Sequence, residues 1–491
     1  MLSEAGLTAI PRTHTLARQT MSGLTYATIA EIKEGIRRKL FSPVEVVDAH
    51  LERIAALLPK LNAFTYLDAE GARRQARAAE NAVMRAEKLG PLCGVPVTVK
   101  SCIDVAGWPS PAGSLLRRGY VPEKDATLVA RLRGGGAILL GNTNTPEFLM
   151  AYETNNLVSG KTSNPWDLAR SAGGSSGGEA AAIAAGCSAG GVGSDGGGSI
   201  RVPAHFCGIC GLKPTPGRIP ATGHFPPGGG AFGWIGVVGP MARTIADVRA
   251  LLEVMAGPDP GDALSSPVPL HRIEAEEIKR IRIGVLESDA LGKATRETAA
   301  AVQKAAGLLS GQGFIVEPVR IPALGRAIEL WWYFFGSVIA HLVRQSIAGR
   351  EDEISPMLRE YLSCAGADGG LTLDAFLSAC AERDAVRAEI LKQMEKVRIL
   401  ISPVSSRPAF RHGEGTWRQG AAECYRDTMR YSQWLNLAGF PGSTVPAGAS
   451  PEGLPIGVQV IGRPHEEELV LAVAEAIETA RGPWQAPQVV C

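Results

Sequence analysis

The chain has 491 residues, of which 45% are hydrophobic and 20% are charged, so it can build a large folded core and is not intrinsically disordered. Its 50 Lys and Arg residues nearly balance its 49 Asp and Glu residues, giving a formal net charge of +1. This balance leaves no basic excess for a nucleic acid backbone or an anionic membrane, and we expect neither as a partner.

The cysteines and the N-terminal residues favour a cytoplasmic protein. Nine cysteines, an odd number scattered through a long chain, argue against a disulfide framework, and the pair Cys207 and Cys210 is only half of a zinc site, which predicts buried thiols. Residues 1–25 lack the continuous apolar run of a secretory signal and are interpreted as an N-terminal extension, with disorder and a start at Met21 both left open. The apolar run 330–340 is well short of the ~20 residues that span a membrane.

Helical and strand patterns alternate along the chain. Apolar residues recur every three or four positions in 28–40 and 42–58, which predicts two amphipathic helices, the second starting with Ser42, Pro43 and Glu45 in a capping box. Further helices are predicted over 70–89, 125–133, 295–309 and 466–480, strands over 95–100, 137–140, 281–286, 314–319 and 399–403, and a hairpin-like stretch near 443–461. This alternation predicts one large α/β domain over 26–485, with a mainly helical region at about 290–430.

Glycine, serine and alanine dominate residues 159–239, and the chemically informative motifs lie there. Residues 160–162 are only the tail of a phosphate-binding loop, because Asn155 stands where that loop needs a glycine. The glycines around Ser175 and Ser176 have the spacing of a nucleophile elbow, but no strand pattern precedes them and no histidine has a distinctive context. Neither motif therefore predicts a function.

Two serines in separate glycine-rich runs, Ser175 and Ser199, are the more informative pair. The Ala-rich segment between them can form a closely packed helix, so both loops could meet at one end of it and bring the hydroxyls together. Gly196, Gly197 and Gly198 would expose consecutive N–H groups to an oxyanion, because no Cβ blocks its approach. From spacing alone, turn serines in flexible loops remain the alternative.

These two loops resemble the signature of the amidase signature family. The resemblance lies in 173–179 and 193–203, and it continues through 94–100, 141–147, 208–214, 436–442 and 453–459. It covers most of 28–480 and is weakest over 290–420. The family's fold is then expected, a large single-domain mixed β-sheet flanked by helices, with the variable helical region on the substrate side.

The resemblance implies a Ser-Ser-Lys triad with Ser199 as nucleophile, Ser175 as bridging serine and Lys100 as base. A lysine acts as a base only when neutral, and burial lowers its pKa from about 10.4. The valines before Lys100 supply apolar surroundings, and the neutral amine would take the Ser199 proton through the Ser175 hydroxyl. In the family a cis peptide precedes the bridging serine, which places it after Gly174.

The same resemblance gives supporting roles to three further residues. Ser176 would hydrogen-bond close to the triad, whereas Asp195 and Arg201 would orient the loop without reacting. No cofactor and no metal is implied.

The expected activity is hydrolysis of a carboxylic amide C–N bond through an acyl-Ser199 intermediate, releasing ammonia or an amine from a small-molecule substrate. The alternative within the resemblance is the glutamine-hydrolysing A subunit of an aminoacyl-tRNA amidotransferase, which works in a complex. An inactive binding or scaffold protein is disfavoured because all three triad residues are present. A homodimer is left open.

Two segments bear on specificity. Aromatic and aliphatic residues recur at helical spacing in 328–342, which indicates either core packing or a wall of the acyl-side pocket and suggests an apolar or aryl acyl group. Residues 225–239 contain Phe232 and Trp234 among glycines and are interpreted as a lid over Ser199, with a surface loop as the alternative. The sequence does not specify the acyl group or the amine.

Overall fold

The computed structural model describes residues 21–271, 273, 275–286, 292–366 and 371–488. Its centre is an eleven-stranded sheet, and two further strands pair outside that sheet. The strands in chain order are β1 Phe64–Leu67, β2 Pro96–Lys100, β3 Ile138–Thr143, β4 Ser163–Asn164, β5 Asp167–Ser171, β6 Gly190–Asp195, β7 Cys210–Lys213, β8 Val237–Ala242, β9 Arg282–Leu286, β10 Ile315–Val319, β11 Ile399–Pro403, β12 Gly442–Ala449 and β13 Pro455–Ile461.

The sheet is mixed. Its strands follow the order β1-β3-β2-β6-β8-β7-β12-β13-β11-β9-β10. Strand β2 is parallel to β3 and β6, and β9 is parallel to β10 and β11, whereas the other neighbours are antiparallel. The predicted mixed sheet flanked by helices is therefore confirmed, and β12 and β13 form the predicted hairpin.

Helices cover the sheet, and buried apolar side chains fill the space between the layers. The predicted capping box is present, because the Ser42 hydroxyl accepts from the Glu45 N–H while the Glu45 carboxylate accepts from the Ser42 N–H. Within the described ranges, no helix is long and apolar enough to cross a membrane. The helices are α1 Met21–Leu24, α2 Ile29–Arg37, α3 Pro43–Leu61, α4 Ala69–Met84, α5 Thr127–Gly134, α6 Gly177–Ala184, α7 Arg201–Cys207, α8 Gly230–Ile235, α9 Ile245–Met255, α10 Ala275–Lys279, α11 Arg296–Gly311, α12 Ala323–Trp332, α13 Ala340–Ile347, α14 Pro356–Cys364, α15 Leu373–Gln393, α16 Tyr425–Thr428, α17 Arg430–Ala438 and α18 Glu467–Arg481.

Several strands lie where the sequence pattern predicts none. Strands β6, β7 and β8 belong to the glycine-rich stretch, and β4 and β5 occupy a segment whose composition is typical of a loop. Strand β6 is glycine-rich because helix α6 approaches it closely: a Cβ on Gly191 would lie 1.9 Å from the Glu179 carboxylate. Close packing therefore removed the β-branched pattern that usually marks a buried strand.

The N-terminal boundary also differs from the prediction. Residues 1–20 of the predicted extension lie outside the described residues. Leu24, within the predicted extension 1–25, packs in the hydrophobic core with 3% of its surface exposed.

A buried ion pair joins β6 to the second half of the chain. The Arg201 guanidinium donates to both carboxylate oxygens of Asp195, at 3.0 and 3.1 Å, and both side chains have no exposed surface. Arg201 also donates to Gln459 on β13 and to Asn436 on α17. Burial alone would raise the pKa of Asp195, but Arg201 and the surrounding hydrogen bonds hold it well below its usual range.

Removing one partner of this pair is expected to destabilise the fold strongly. Asp195→Asn leaves the Arg201 charge buried without a counter-ion, which costs about 3–5 kcal/mol. Urea titration should show this loss. Glu34→Gln, which breaks the exposed pair with Arg37, is the matched control and should leave the midpoint unchanged. Equal midpoints for the two variants would contradict the importance of the buried pair.

Candidate active site

Lys100 ends strand β2 and points into the interior, with no exposed surface. Its Nζ lies 2.7 Å from Ser175 Oγ, 3.0 Å from Ser194 Oγ and 3.5 Å from the Ser194 carbonyl oxygen. The lysine that the sequence singled out is therefore in direct contact with the predicted bridging serine.

Burial lowers the pKa of Lys100 to about 8. The nearby acidic groups Cys102, Asp195 and Glu179 act in the opposite direction and limit the shift. Glu179 itself is buried, which raises its pKa to about 7, and it accepts hydrogen bonds from the Thr98 and Thr143 hydroxyls. Lys100 is then neutral in a larger fraction of molecules than an exposed lysine, although the protonated form still predominates at neutral pH.

The two glycine-rich loops meet as the sequence predicted. Ser175 follows a cis peptide bond to Gly174, and Ser175 and Ser199 line the same cavity. The Ser176 N–H donates to the Ser199 carbonyl oxygen at 3.1 Å, which fixes one loop against the other. Within the described residues no hydrogen bond joins the Ser175 and Ser199 hydroxyls, and Ser199 is 8% exposed.

The three glycines before Ser199 differ from one another. The Gly198 N–H donates to Asp195 Oδ1 at 2.6 Å, so this predicted oxyanion donor is already engaged. The Gly196 and Gly197 carbonyls accept hydrogen bonds from Trp331 and Tyr152, and Gly196 and Ser199 line the cavity.

The predicted supporting residues all contact the two loops. The Ser176 hydroxyl bonds to the backbone N–H and carbonyl of Ser194, each at 3.3 Å. Asp195 accepts from the Gly198 and Ile200 N–H groups while it pairs with Arg201. These contacts hold the loop that carries Ser199 in one conformation.

Three side chains that the sequence analysis did not identify extend from Lys100. Ser194 Oγ lies 3.7 Å from Cys102 Sγ, which lies 3.5 Å from His224 Nε2. His224 Nδ1 is 2.9 Å from the Pro226 carbonyl oxygen. Ser194 lies within the signature run 193–203, whereas Cys102 and His224 belong to no motif of their own, and only the fold brings the three side chains together.

The space above Ser199 is small and mostly apolar. It measures about 20 Å³, enough for about one water molecule. Phe232 and Phe335 close it, and the only charged residue in its described lining is Asp195, which is paired with Arg201. The lining residues are Leu149, Met150, Ser175, Ser194, Asp195, Gly196, Ser199, His224, Phe232, Gly236, Val237 and Phe335.

A larger apolar groove begins on the other side of Phe232. It measures about 380 Å³, and its lining, as far as the structure describes it, contains no charged side chain. Phe232 lies on helix α8, so part of the predicted lid segment does face Ser199, whereas residues 237–239 belong to strand β8. The groove is lined by Phe148, Phe225, Pro226, Pro227, Gly229, Phe232, Ile339, Leu342, Val343, Gln345 and Ser346.

The aromatic stripe serves both the core and the site. A π-helical segment, Tyr333–Ile339, joins α12 to α13. Trp331 is fully buried, stacks on Phe335 at 4.6 Å and donates from Nε1 to the Gly196 carbonyl at 2.9 Å. The sequence left core packing and a pocket wall as alternatives for this stripe, and the structure shows that it serves both purposes.

The cysteine pair noted in the sequence has a structural role. Cys207 and Cys210 are free, fully buried thiols that donate to backbone carbonyls, as predicted. In the described part of the chain, no group of three or more His, Cys, Asp or Glu side chains could hold a metal ion.

Comparison with known proteins identifies the family. The family model described as Amidase matches residues 45–471. The A subunit of the glutamyl-tRNA(Gln) amidotransferase from Roseiflexus castenholzii (strain DSM 13941 / HLO8) is 37% identical, over 93% of this chain and 96% of the relative.

Two solved structures show the same fold. A 6-aminohexanoate cyclic dimer hydrolase complexed with substrate superposes with a TM-score of 0.83 and 30% identity, covering 95% of this chain and all of the other. The A subunit of the Thermotoga maritima glutamyl-tRNA(Gln) amidotransferase gives a TM-score of 0.74 and 27% identity, covering 95% and 98%. The family model and these relatives show that this chain belongs to the amidase family.

Proposed function

We propose that this chain hydrolyses carboxylic amides with Ser199 as nucleophile, Ser175 as proton bridge and Lys100 as base. The observation that carries the proposal is the 2.7 Å contact between the buried Lys100 amine and Ser175, on the cavity that Ser199 lines. A neutral amine in that position can accept a proton that a surface lysine could not.

In the proposed acylation, Ser199 Oγ forms a bond to the amide carbonyl carbon. Its proton passes to Ser175, and the Ser175 proton passes to Lys100. The N–H groups of Gly196, Gly197 and Ser199 stabilise the oxyanion. The C–N bond then breaks, and the leaving nitrogen receives the proton back through Ser175.

Water completes the proposed cycle by attacking the acyl ester. The water gives one proton to the Ser175–Lys100 relay, the bond between Ser199 Oγ and the acyl carbon breaks, and the relay returns the proton to Ser199. The carboxylic acid leaves and the resting state is restored. Every step uses side chains and backbone groups of this chain alone.

The second candidate is glutamine hydrolysis as an amidotransferase A subunit. It is favoured by the amidotransferase relative at 37% identity. Glutamine, however, carries an ammonium and a carboxylate next to each other, and a specific site needs opposite charges to meet them. The described lining of the cavity and groove offers only Asp195, whose charge Arg201 already neutralises.

The apolar groove supports an uncharged substrate instead. Phe335 lines the cavity above Ser199, whereas Ile339 and Val343, spaced four residues apart along the same helix, line the groove. This helical face therefore leads from the reacting carbonyl along the groove. We infer that the substrate is an amide with an apolar arm that displaces Phe232 and lies in the groove.

Ammonia release by the isolated chain tests the proposed activity. Wild-type protein should turn over aliphatic and aryl primary amides better than glutamine. Ser199→Ala and Lys100→Met should each lower kcat at least about 1,000-fold, since each removes a group that acts in the transition state. Activity confined to glutamine would favour the amidotransferase function, and activity that survives Ser199→Ala would overturn the proposal.

Substrate length tests the groove. In the series from acetamide to octanamide, each added methylene should raise kcat/KM about twofold to fourfold until the groove is filled. Leu342→Asp should flatten the series without changing acetamide turnover, because Leu342 lies in the groove and is 47% exposed.

The matched control is Leu377→Asp, at an exposed leucine on α15 outside the groove lining, which should keep the wild-type series. N-alkyl acetamides of the same lengths show whether the groove takes the acyl or the amine side. A flat response in both series would contradict the assignment of the groove.

A further inference from the structure

A hydrogen-bonded chain leads from the segment that closes the cavity to the proposed base. His224 lies next to Phe225 and stacks on Phe232, with ring centroids 6.1 Å apart and 18° between the ring planes. Its Nε2 contacts Cys102 Sγ at 3.5 Å, Cys102 contacts Ser194 Oγ at 3.7 Å, and Ser194 Oγ contacts Lys100 Nζ at 3.0 Å.

The Pro226 carbonyl oxygen, at the end of this series of hydrogen bonds, fixes which atom donates in each of them. The Pro226 carbonyl oxygen can only accept, so His224 Nδ1 carries the proton and donates to it. Burial lowers the pKa of His224 to about 4, which keeps the ring neutral and leaves a lone pair on Nε2. Cys102, whose pKa is raised by burial, then donates its S–H to His224 and accepts from Ser194.

The same donor and acceptor roles determine the hydrogen bonds of the Lys100 amine. Because the Ser194 hydroxyl donates to Cys102, its oxygen accepts an N–H from Lys100. The Ser194 carbonyl oxygen, 3.5 Å away, can only accept a second N–H. A neutral amine has two N–H bonds and one lone pair, so the lone pair is directed at Ser175, 2.7 Å away.

We propose that Cys102 and His224 are positioning residues that fix the donor direction of this chain and so aim the Lys100 lone pair at Ser175. The proposal rests on the proposed function of Lys100 as base. Without Cys102 and His224, the Ser194 hydroxyl is free to donate to the lone pair of Lys100, in competition with the Ser175 hydroxyl.

The charged and titratable groups around Lys100 come from several elements. Glu179 faces it from α6, Asp195 from the end of β6, Cys102 from the turn after β2, and His224 from the segment before α8. The acidic groups raise the pKa of Lys100 and burial lowers it to about 8. Activity that needs the neutral amine should therefore rise with pH and level off above about pH 9.

The test compares Cys102→Ala with Cys102→Ser, and adds His224→Phe. Serine keeps a donor and an acceptor, and phenylalanine keeps the ring against Phe232 while removing both nitrogens. Cys187→Ala is the matched control, since it removes another buried free thiol, which packs in a different apolar cluster from Cys102. The readouts are kcat and KM for an amide that the wild type hydrolyses, measured between pH 6 and about pH 10, with the thermal unfolding midpoint of each variant.

Cys102→Ala and His224→Phe should lower kcat about 10- to 100-fold with KM unchanged, as expected when a reacting group is misdirected. The loss should persist above about pH 9, because it comes from the direction of the lone pair and not from the charge of the amine. Cys102→Ser should recover most of the activity, and Cys187→Ala should behave as wild type.

Wild-type kinetics in Cys102→Ala and His224→Phe would overturn the inference while leaving the proposed function intact. A loss that disappears at high pH, or a Cys102→Ser variant as impaired as Cys102→Ala, would also overturn it. A wild-type protein inactive on every amide would instead reject the proposed function on which the inference rests.

Discussion

The buried pair between Asp195 and Arg201 is the interaction on which the candidate site depends. A carboxylate with no exposed surface must be fully satisfied, and Asp195 achieves this with Arg201 and with backbone N–H groups of the loop that carries Ser199. Arg201 in turn reaches Asn436 and Gln459, so this loop is tied to the opposite end of the chain. The resulting rigidity allows glycines, which are otherwise the most mobile residues, to present N–H groups in a fixed arrangement.

Burial of Lys100 costs free energy of folding, and the same burial lowers the pKa of its amine. An exposed lysine is almost fully protonated at neutral pH, whereas the pKa of this buried one is about 8. Its other contacts are the hydroxyl and the carbonyl oxygen of Ser194, and because we infer that this hydroxyl donates to Cys102, Ser175 is the neighbour that gives up a proton to Lys100. On the substrate side, Phe232 and Phe335 line the cavity at Ser199, and the described lining of the groove that shares Phe232 holds no charged side chain.

Much of this arrangement could be predicted from local sequence. The capping box at Ser42, the strand ending at Lys100 and the meeting of the two serine loops all follow from short patterns, and the resemblance supplied the mixed sheet. Strand β6 could not be predicted, because helix α6 approaches it so closely that glycine stands where a buried strand usually has branched residues. The hydrogen bonds among Ser194, Cys102 and His224 could not be predicted either, since these residues are far apart in sequence and become neighbours only through the fold.

Acylation of Ser199 through Lys100 is the step on which the proposed function depends. Peptide mass spectrometry can detect it directly, in protein that is mixed with an octanoyl anilide and quenched in acid during turnover. We expect an octanoyl group on the peptide that contains Ser199, absent in Ser199→Ala and strongly reduced in Lys100→Met. An octanoyl group on Cys102 or another residue in place of Ser199 would contradict this mechanism.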